Sequence, residues 1–221
     1  MNPRLLRKMR REWDQRALEN ALHFVATGKK DWSLDEFIES GRATVENEIL
    51  TDMENICQGR DPRRMRVLEI GCGAGRILRA LAHVFGEVHG VDISGEMLKV
   101  ARDLLAGCPN AFVHQNNGMD LSVLGNLPFD FAFSFIVFQH IPSKAVIENY
   151  VREVNRLLRP GALFKFQVEG VPGKAPRNDT WFGAPFSERD ALEMAERSNF
   201  EARYHTGAGT QYFWLWFFRK C

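Results

Sequence analysis

The sequence predicts an α/β protein with a doubly wound, mostly parallel, seven-stranded sheet, an antiparallel C-terminal hairpin and an N-terminal helical lid. Three observations predict it. From about residue 65, short apolar runs alternate with helical periods, the pattern of parallel strands joined by right-handed crossovers. The first of these runs enters a loop with glycine at 71, 73 and 75. Near the end, two apolar runs follow each other with no helix between them, and such runs can pair antiparallel.

Taken in order, "RVLEI" (66–70) is the first strand, and "RILRALAHVF" (76–85) carries apolar residues at helical spacing. "EVHGVD" (87–92) is the second strand. Ser94 caps the helix "GEMLKVARDLLAG", whose apolar face is Met97, Leu98, Ala101, Leu104 and Leu105, and Gly107 and Pro109 stop it. "NAFVHQ" (110–115) is the third strand. "FDFAFSFIVF" (129–138), apolar almost throughout, is expected as a central strand covered on both faces. The helix "KAVIENYVREVNRLL" (144–158) ends at "RPG", and "ALFKFQVE" (162–169) makes a fifth strand. Ser187 opens the helix "SERDALEMAERSN"; "FEARYHT" and "QYFWLWFFRK" are the hairpin strands around the Gly207–Gly209 turn.

Residues 1–60 differ: they are helical, charged and dotted with Trp13, Phe24, Trp32 and Phe37, with a capping-box spacing from Ser33 to Glu36 and glycines 28 and 41 as punctuation. They are expected as helices packed over one edge of the sheet, a cap or lid on the domain of residues 61–221 and not an independent domain. The stretch 170–186, rich in proline and glycine, is expected as a long loop, a form that is often functional.

The composition excludes several classes. Of 221 residues, 45% are hydrophobic and the net charge is +1, so no strong field points to a membrane or nucleic-acid partner. Arg4, Arg7, Lys8, Arg10, Arg11 and Arg16 crowd one segment, which reads as a solvated helix face or as a nucleic-acid arm. Four scattered cysteines with no Cys-x-x-Cys pair argue against a zinc site or disulfide framework and suit a reducing cytoplasm. No signal peptide or membrane span is expected.

Three glycines so close together forfeit side-chain packing and cost chain entropy, so a ligand is expected against the loop. A dinucleotide site would place its third glycine at 76. Position 76 is Arg, and the spacing here is Gly-x-Gly-x-Gly, preceded by Glu69. "VLEIGCGAG" resembles the first motif of the class I S-adenosylmethionine-dependent methyltransferases. "NNGMDL" (116–121), "FSFIVFQHIP" (133–142), "LLRPGALFKFQ" (157–167) and the closing hairpin resemble the family's later elements in the right order, over about residues 60 to 221.

The resemblance implies a Rossmann-like fold, S-adenosylmethionine as cofactor and S-adenosylhomocysteine as product. It implies that Gly71, Cys72 (through its backbone), Gly73, Gly75 and Arg76 cradle the methionine part, that Asp92 accepts from the ribose hydroxyls, and that Ile93, Met97, Asn116, Asn117 and Gly118 surround the adenine. It also implies that Phe135 borders the cofactor and that Trp13 covers it. Bland readings stand beside these: Asp92 as a helix cap, Met97 as core, Trp13 as a core anchor.

Methyl transfer to an activated sulfonium needs positioning above all, and a base only where the acceptor must lose a proton. His140 is the candidate base, with a structural role as the alternative. No metal is expected, since some relatives have Glu beside this histidine and this chain has Gln139, a poor ligand for a hard cation. Trp181, Phe182, Trp32 and Phe37 are expected to line the acceptor pocket, with Glu169 or Arg177 orienting a polar group. The leading expectation is a methyltransferase acting on O, N, S or C of a small molecule. The alternatives are an RNA or protein methyltransferase of the same fold, a non-catalytic cofactor-binding protein, and other chemistry on the same cofactor.

Overall fold

A computed structural model describes residues 3–173 and 180–221. Seven strands form one sheet in the order β3-β2-β1-β4-β5-β7-β6: β1 Arg66–Ile70, β2 Glu87–Asp92, β3 Ala111–Gln115, β4 Phe129–Ser134, β5 Leu158–Val168, β6 Phe200–Thr206 and β7 Phe213–Arg219. The expected seven-stranded sheet with its antiparallel hairpin is therefore present. The helices are α1 Pro3–Val25, α2 Leu34–Glu48, α3 Met53–Cys57, α4 Arg76–Ala82, α5 Gly95–Leu104, α6 Lys144–Leu157 and α7 Glu188–Arg197. The chain divides into two compact units, Arg10–Gly118 and Met1–Met9 together with Met119–Cys221.

In the unit Arg10–Gly118, β1 pairs parallel with β2, and β2 with β3. Ser94 caps α5 by accepting from the Met97 N–H at 3.1 Å, and Met97, Leu98, Ala101 and Leu104 are buried along its apolar face. Ser33 and Glu36 form the expected reciprocal capping box on α2. Two features differ from expectation. Asn20 (φ −167°, ψ 85°) bends α1, and its side chain accepts from the His23 N–H at 3.1 Å, so it recaps the last turn. Gly41 does not punctuate the chain. It lies buried inside α2, where a Cβ would come 2.2 Å from the Arg76 carbonyl oxygen; its smallness lets α2 meet the start of α4.

In the other unit, β4 and β5 are parallel, while β7 is antiparallel to both β5 and β6. Phe138, Phe164, Phe166, Phe200 and Phe217 are fully buried and meet ring to ring, for example Phe166 edge-on to Phe217 at 5.0 Å. Each such burial contributes about 1.5–3 kcal/mol. The strand expected over 129–138 stops at Ser134, because Ile136 takes φ 57° and Phe138–His140 form a 3-10 turn. Conversely, β5 starts at Leu158, before "RPG". Gly161 (φ 75°) absorbs a register shift between Phe129 and Phe131.

Candidate functional site

The glycine loop is a backbone device. The Gly71 and Cys72 N–H groups both donate to the Val91 carbonyl, at 2.8 and 3.1 Å, and the Gly75 N–H donates to the Cys72 carbonyl at 2.8 Å. Gly71, Gly73 and Gly75 all have positive φ (72°, 50° and 85°), a region that side chains resist. A Cβ at Gly73 would also lie 2.8 Å from Val25. Cys72 is buried, and burial pushes its thiol well above its ordinary range, so it is filler and not a nucleophile.

Asp92, at the end of β2, ties this loop to the next. One carboxylate oxygen accepts from the Gly73 N–H at 2.9 Å and the other from the Ser94 N–H at 2.8 Å. Each oxygen keeps further accepting capacity, and the residue stays partly open to solvent. Burial pushes the carboxyl up to about 6 against the pull of those backbone donors. The ligand and cap readings are thus compatible at this residue, because the backbone uses only part of the carboxylate.

Glu69 is more unusual. It is 3% exposed, and its Oε2 has no hydrogen-bond partner. Burial raises its carboxyl to about 8, opposed by the charge of Arg76 and reinforced by that of Asp92. Arg76 does not cancel it by direct contact. Its guanidinium turns to α2, donating to the Ser40 carbonyl and the Thr44 hydroxyl, both at 2.9 Å. A buried carboxylate oxygen with no donor costs free energy that an incoming cationic donor would recover.

The loop after β3 lies against the same elements. The Asn116 N–H donates to the Asp92 carbonyl at 2.9 Å, and its side-chain oxygen accepts from the Gly118 N–H at 3.1 Å. Gly118 (φ 78°) packs on Ile93, where a Cβ would meet the Ile93 Cδ1 at 2.3 Å. Asn117 is exposed. Met97 is buried in a cluster with Ala21, Phe37, Ala74 and Leu104. Trp13 packs on that cluster, half-buried, with the Arg16 guanidinium 4.8 Å above its ring. Two residues of α1 that the sequence does not connect with the site, Arg10 reading there only as part of the basic segment, reach this region. Asp14 accepts from the Ser94 hydroxyl at 2.7 Å and the Glu96 N–H at 3.3 Å, and Arg10 donates to the Asn116 carbonyl at 3.1 Å. Their i, i+4 spacing puts them on one helix face, the available signal.

The second unit holds the other predicted residues. Phe135 stacks on Trp214, with centroids 5.3 Å apart. Ile136, a β-branched residue at positive φ, stores about 1–3 kcal/mol of strain, a feature that clusters at functional sites. The Ile136 N–H donates to the wholly buried Gln167, which donates in turn to Gln139 Oε1 at 2.8 Å and to the Gln211 carbonyl at 2.6 Å. His140, 8% exposed, bonds the Trp181 carbonyl through Nδ1, and its Nε2 lies 3.4 Å from Gln139 Nε2. Glu169, also buried, accepts from the Val171 N–H at 2.8 Å. Of the expected pocket aromatics, Phe182 is exposed and Trp181 packs on His140, whereas Phe37 is fully buried core and Trp32 packs against it. Arg177 lies outside the described residues.

Residues 67–161 match the family model described as a methyltransferase domain. This stretch is similar to methyltransferase domains. Among curated proteins, it is similar to a dTDP-3-amino-3,6-dideoxy-alpha-D-glucopyranose N,N-dimethyltransferase of Streptomyces fradiae, 29% identical over 41% of this chain and 34% of that protein. A ubiquinone biosynthesis O-methyltransferase of Mesorhizobium japonicum is 33% identical over 48% of this chain and 43% of that one. The matches thus span about a third to a half of the length of these curated relatives. Among solved structures, a magnesium protoporphyrin IX methyltransferase from Synechocystis with bound S-adenosylhomocysteine has a TM-score of 0.68 and 16% identity, covering 98% of this chain and 100% of that one. The matched stretch contains the glycine loop, Asp92, the Asn116–Gly118 loop and His140. Asp14, Arg10 and Trp13 lie before it.

Proposed function

We propose that the chain is an S-adenosylmethionine-dependent methyltransferase that works without a metal on a small-molecule acceptor, at an O, N, S or C atom. The orphaned Glu69 oxygen carries this reading, since a buried carboxyl group beside a glycine loop suits a cofactor whose amino-acid end carries an ammonium group. When bound, the cofactor supplies a methyl group already activated on a sulfonium.

The residues divide the work by chemistry. Gly71, Cys72, Gly73 and Gly75 let the backbone come close, with Glu69 taking the ammonium group and Arg76 holding α2 against α4. Asp92 accepts from the ribose hydroxyls with its spare lone pairs. Ile93, Asn116, Asn117 and Gly118 border the adenine, Met97 supports them from the core, and Trp13 and Phe135 border the cofactor with aromatic surface. Residues 1–60 form a lid, held by the Asp14 and Arg10 bonds. His140 takes a proton where the acceptor carries one. Gln139 supports independence from a metal, because its oxygen is committed to Gln167 and its type suits a hard cation poorly.

A small-molecule acceptor is supported by relatives named for a sugar nucleotide, ubiquinone biosynthesis and a porphyrin. No helix among the described residues is long and apolar enough to cross a membrane. The test is isothermal titration of the whole protein with S-adenosylmethionine, S-adenosylhomocysteine and NADH in parallel. Micromolar binding of both adenosyl ligands without NADH is expected; no adenosyl binding would remove the proposal.

A further inference from the structure

The polar groups around the loop after β4 form a chain whose direction is set at both ends by the backbone. The Ile136 N–H can only donate, and it points at one side-chain atom of Gln167 at 3.1 Å, which must be the oxygen. The other atom is then the amide nitrogen. Its two hydrogens serve the Gln211 carbonyl at 2.6 Å and Gln139 at 2.8 Å, with the Val168 carbonyl a longer third acceptor at 3.3 Å. Gln167 is 0% exposed, so no bulk water competes for these bonds. Gln139, with its oxygen committed to Gln167, turns its NH2 toward His140 Nε2 at 3.4 Å. That nitrogen must therefore present a lone pair. At the far end the Trp181 carbonyl can only accept, so the imidazole hydrogen sits on Nδ1. The two ends are independent, and they specify the same tautomer.

We infer that Gln167 is a positioning residue for the proposed transfer: through Gln139 it holds His140 as a neutral imidazole with its hydrogen on Nδ1 and its lone pair on Nε2. The inference rests on the methyl-transfer reading for what that lone pair is used for, while the tautomer stands without it. In the transfer, an acceptor X–H takes the place of the Gln139 N–H at the Nε2 lone pair and gives its proton to it, while an electron pair on X forms the bond to the methyl carbon. The electrons of the broken carbon–sulfur bond return to sulfur and cancel its positive charge. The resulting imidazolium keeps Nδ1–H on the Trp181 carbonyl, but its new Nε2–H faces the Gln139 NH2, which cannot accept. The relay thus favours loss of that proton to solvent once the methylated product has left. The strained Ile136 is held by the same glutamine, so one side chain sets both the backbone of the loop and the proton pattern of its histidine.

Two near-isosteric variants reverse the relay. In Gln167→Glu the new carboxylate still accepts from Ile136 but cannot donate, so Gln139 turns its NH2 toward it and its oxygen toward His140. Nε2 must then carry hydrogen while Nδ1 keeps its own. In Gln139→Glu the Gln167 bond is kept and an acceptor is placed directly at Nε2, with the same result. The experiment is long-range 1H–15N NMR of the uniformly 15N-labelled full chain at neutral pH, with the His140 signals assigned by their loss in His140→Gln. The wild type is expected to show one protonated and one bare ring nitrogen, with Nε2 bare. Both variants are expected to show two protonated nitrogens. A wild-type ring protonated at Nε2 overturns the inference, as does a folded variant that keeps the wild-type pattern. If one variant fails to fold, the other and the wild-type spectrum still decide. S-adenosylmethionine titrated into the same wild-type sample separates the two readings, since failure to bind rejects the cofactor assignment without moving the tautomer result.

Discussion

The two polar clusters contrast in how completely their groups are satisfied. Around the glycine loop, hydrogen-bonding capacity is left over: Glu69 Oε2 has no donor, and each Asp92 oxygen holds one backbone N–H with lone pairs to spare. Around the loop after β4, Gln167 uses its oxygen and both amide hydrogens, and Gln139 and His140 complete the chain. Unmet capacity in a buried place costs stability and is tolerated where a ligand meets it. Full satisfaction rigidifies and specifies one arrangement. On the proposed function, the first cluster receives a charged molecule and the second holds a geometry.

Substitutions that should affect one property and spare the other test this contrast most severely. Asp92→Ala removes the carboxylate proposed for the ribose together with the anchors of two loops. Hydrogen bonds to a charged group contribute about 1.5–3 kcal/mol each, so S-adenosylmethionine affinity should fall by ~100-fold or more in calorimetry. Unchanged affinity would sink the ribose assignment. Gln167→Leu does the opposite. It strands the buried Gln139 amide and takes a partner from the part-buried Ile136 N–H and the Gln211 carbonyl, at a cost of about 3 kcal/mol read from the urea midpoint, with cofactor affinity little changed. Equal losses of affinity and stability in both variants would erase the distinction between the clusters.

The same contrast separates what could be read in the sequence from what could not. The strands, the glycine loop and the caps at Ser33, Ser94 and Ser187 were legible because each depends on residues within a few positions. The early end of β4 was not, since nothing local says that an isoleucine will sit at φ 57°; the buried Gln167, 31 residues away, holds it there. Gly41 looked like a helix breaker because its reason, the Arg76 backbone pressed against it, is distant in sequence. Of the candidate site, the residues with a motif were legible. Arg10 and Asp14, bonded across 106 and 80 positions, had only a helix-face spacing to mark them. Glu69 stood in the motif, but its missing partner is a property of the packed unit.

Glu69 gives the comparison a pH dependence. Its carboxyl is raised from 4.5 to about 8, so the folded chain binds more protons than the unfolded chain between those values. Stability should therefore fall as pH rises through that window, and Glu69→Gln should flatten the fall. Binding a cation at Glu69 favours the ionised form, so binding releases a proton. Affinity for S-adenosylmethionine should rise as pH approaches 8 in the wild type and lose that slope in Glu69→Gln. Calorimetry in two buffers of different ionisation enthalpy measures the released proton directly. A wild type that releases none over pH 6–8 would reject Glu69 as the ammonium partner.

The smallest expected effect concerns α1. Asp14 takes the Ser94 hydroxyl, which itself caps α5, and the Glu96 N–H, so it extends that cap from a separate helix. Asp14→Ala leaves the Ser94–Met97 bond intact and frees two donors, the buried Ser94 hydroxyl and the Glu96 N–H, which the space left by the partly exposed Asp14 side chain opens to water. The loss should be about 1 kcal/mol, a fall in Tm of about 2–4 °C for a chain of this size. If residues 1–60 act as a lid, the same substitution should also speed cofactor release, because the helix carrying Trp13 loses a tether to the loop after β2. Stopped-flow displacement with tryptophan fluorescence reads that rate. Asp14→Asn retains an accepting oxygen and should recover most of both effects. A Tm shift with no change in release rate would make Asp14 a helix cap alone and leave α1 as a fixed wall of the unit.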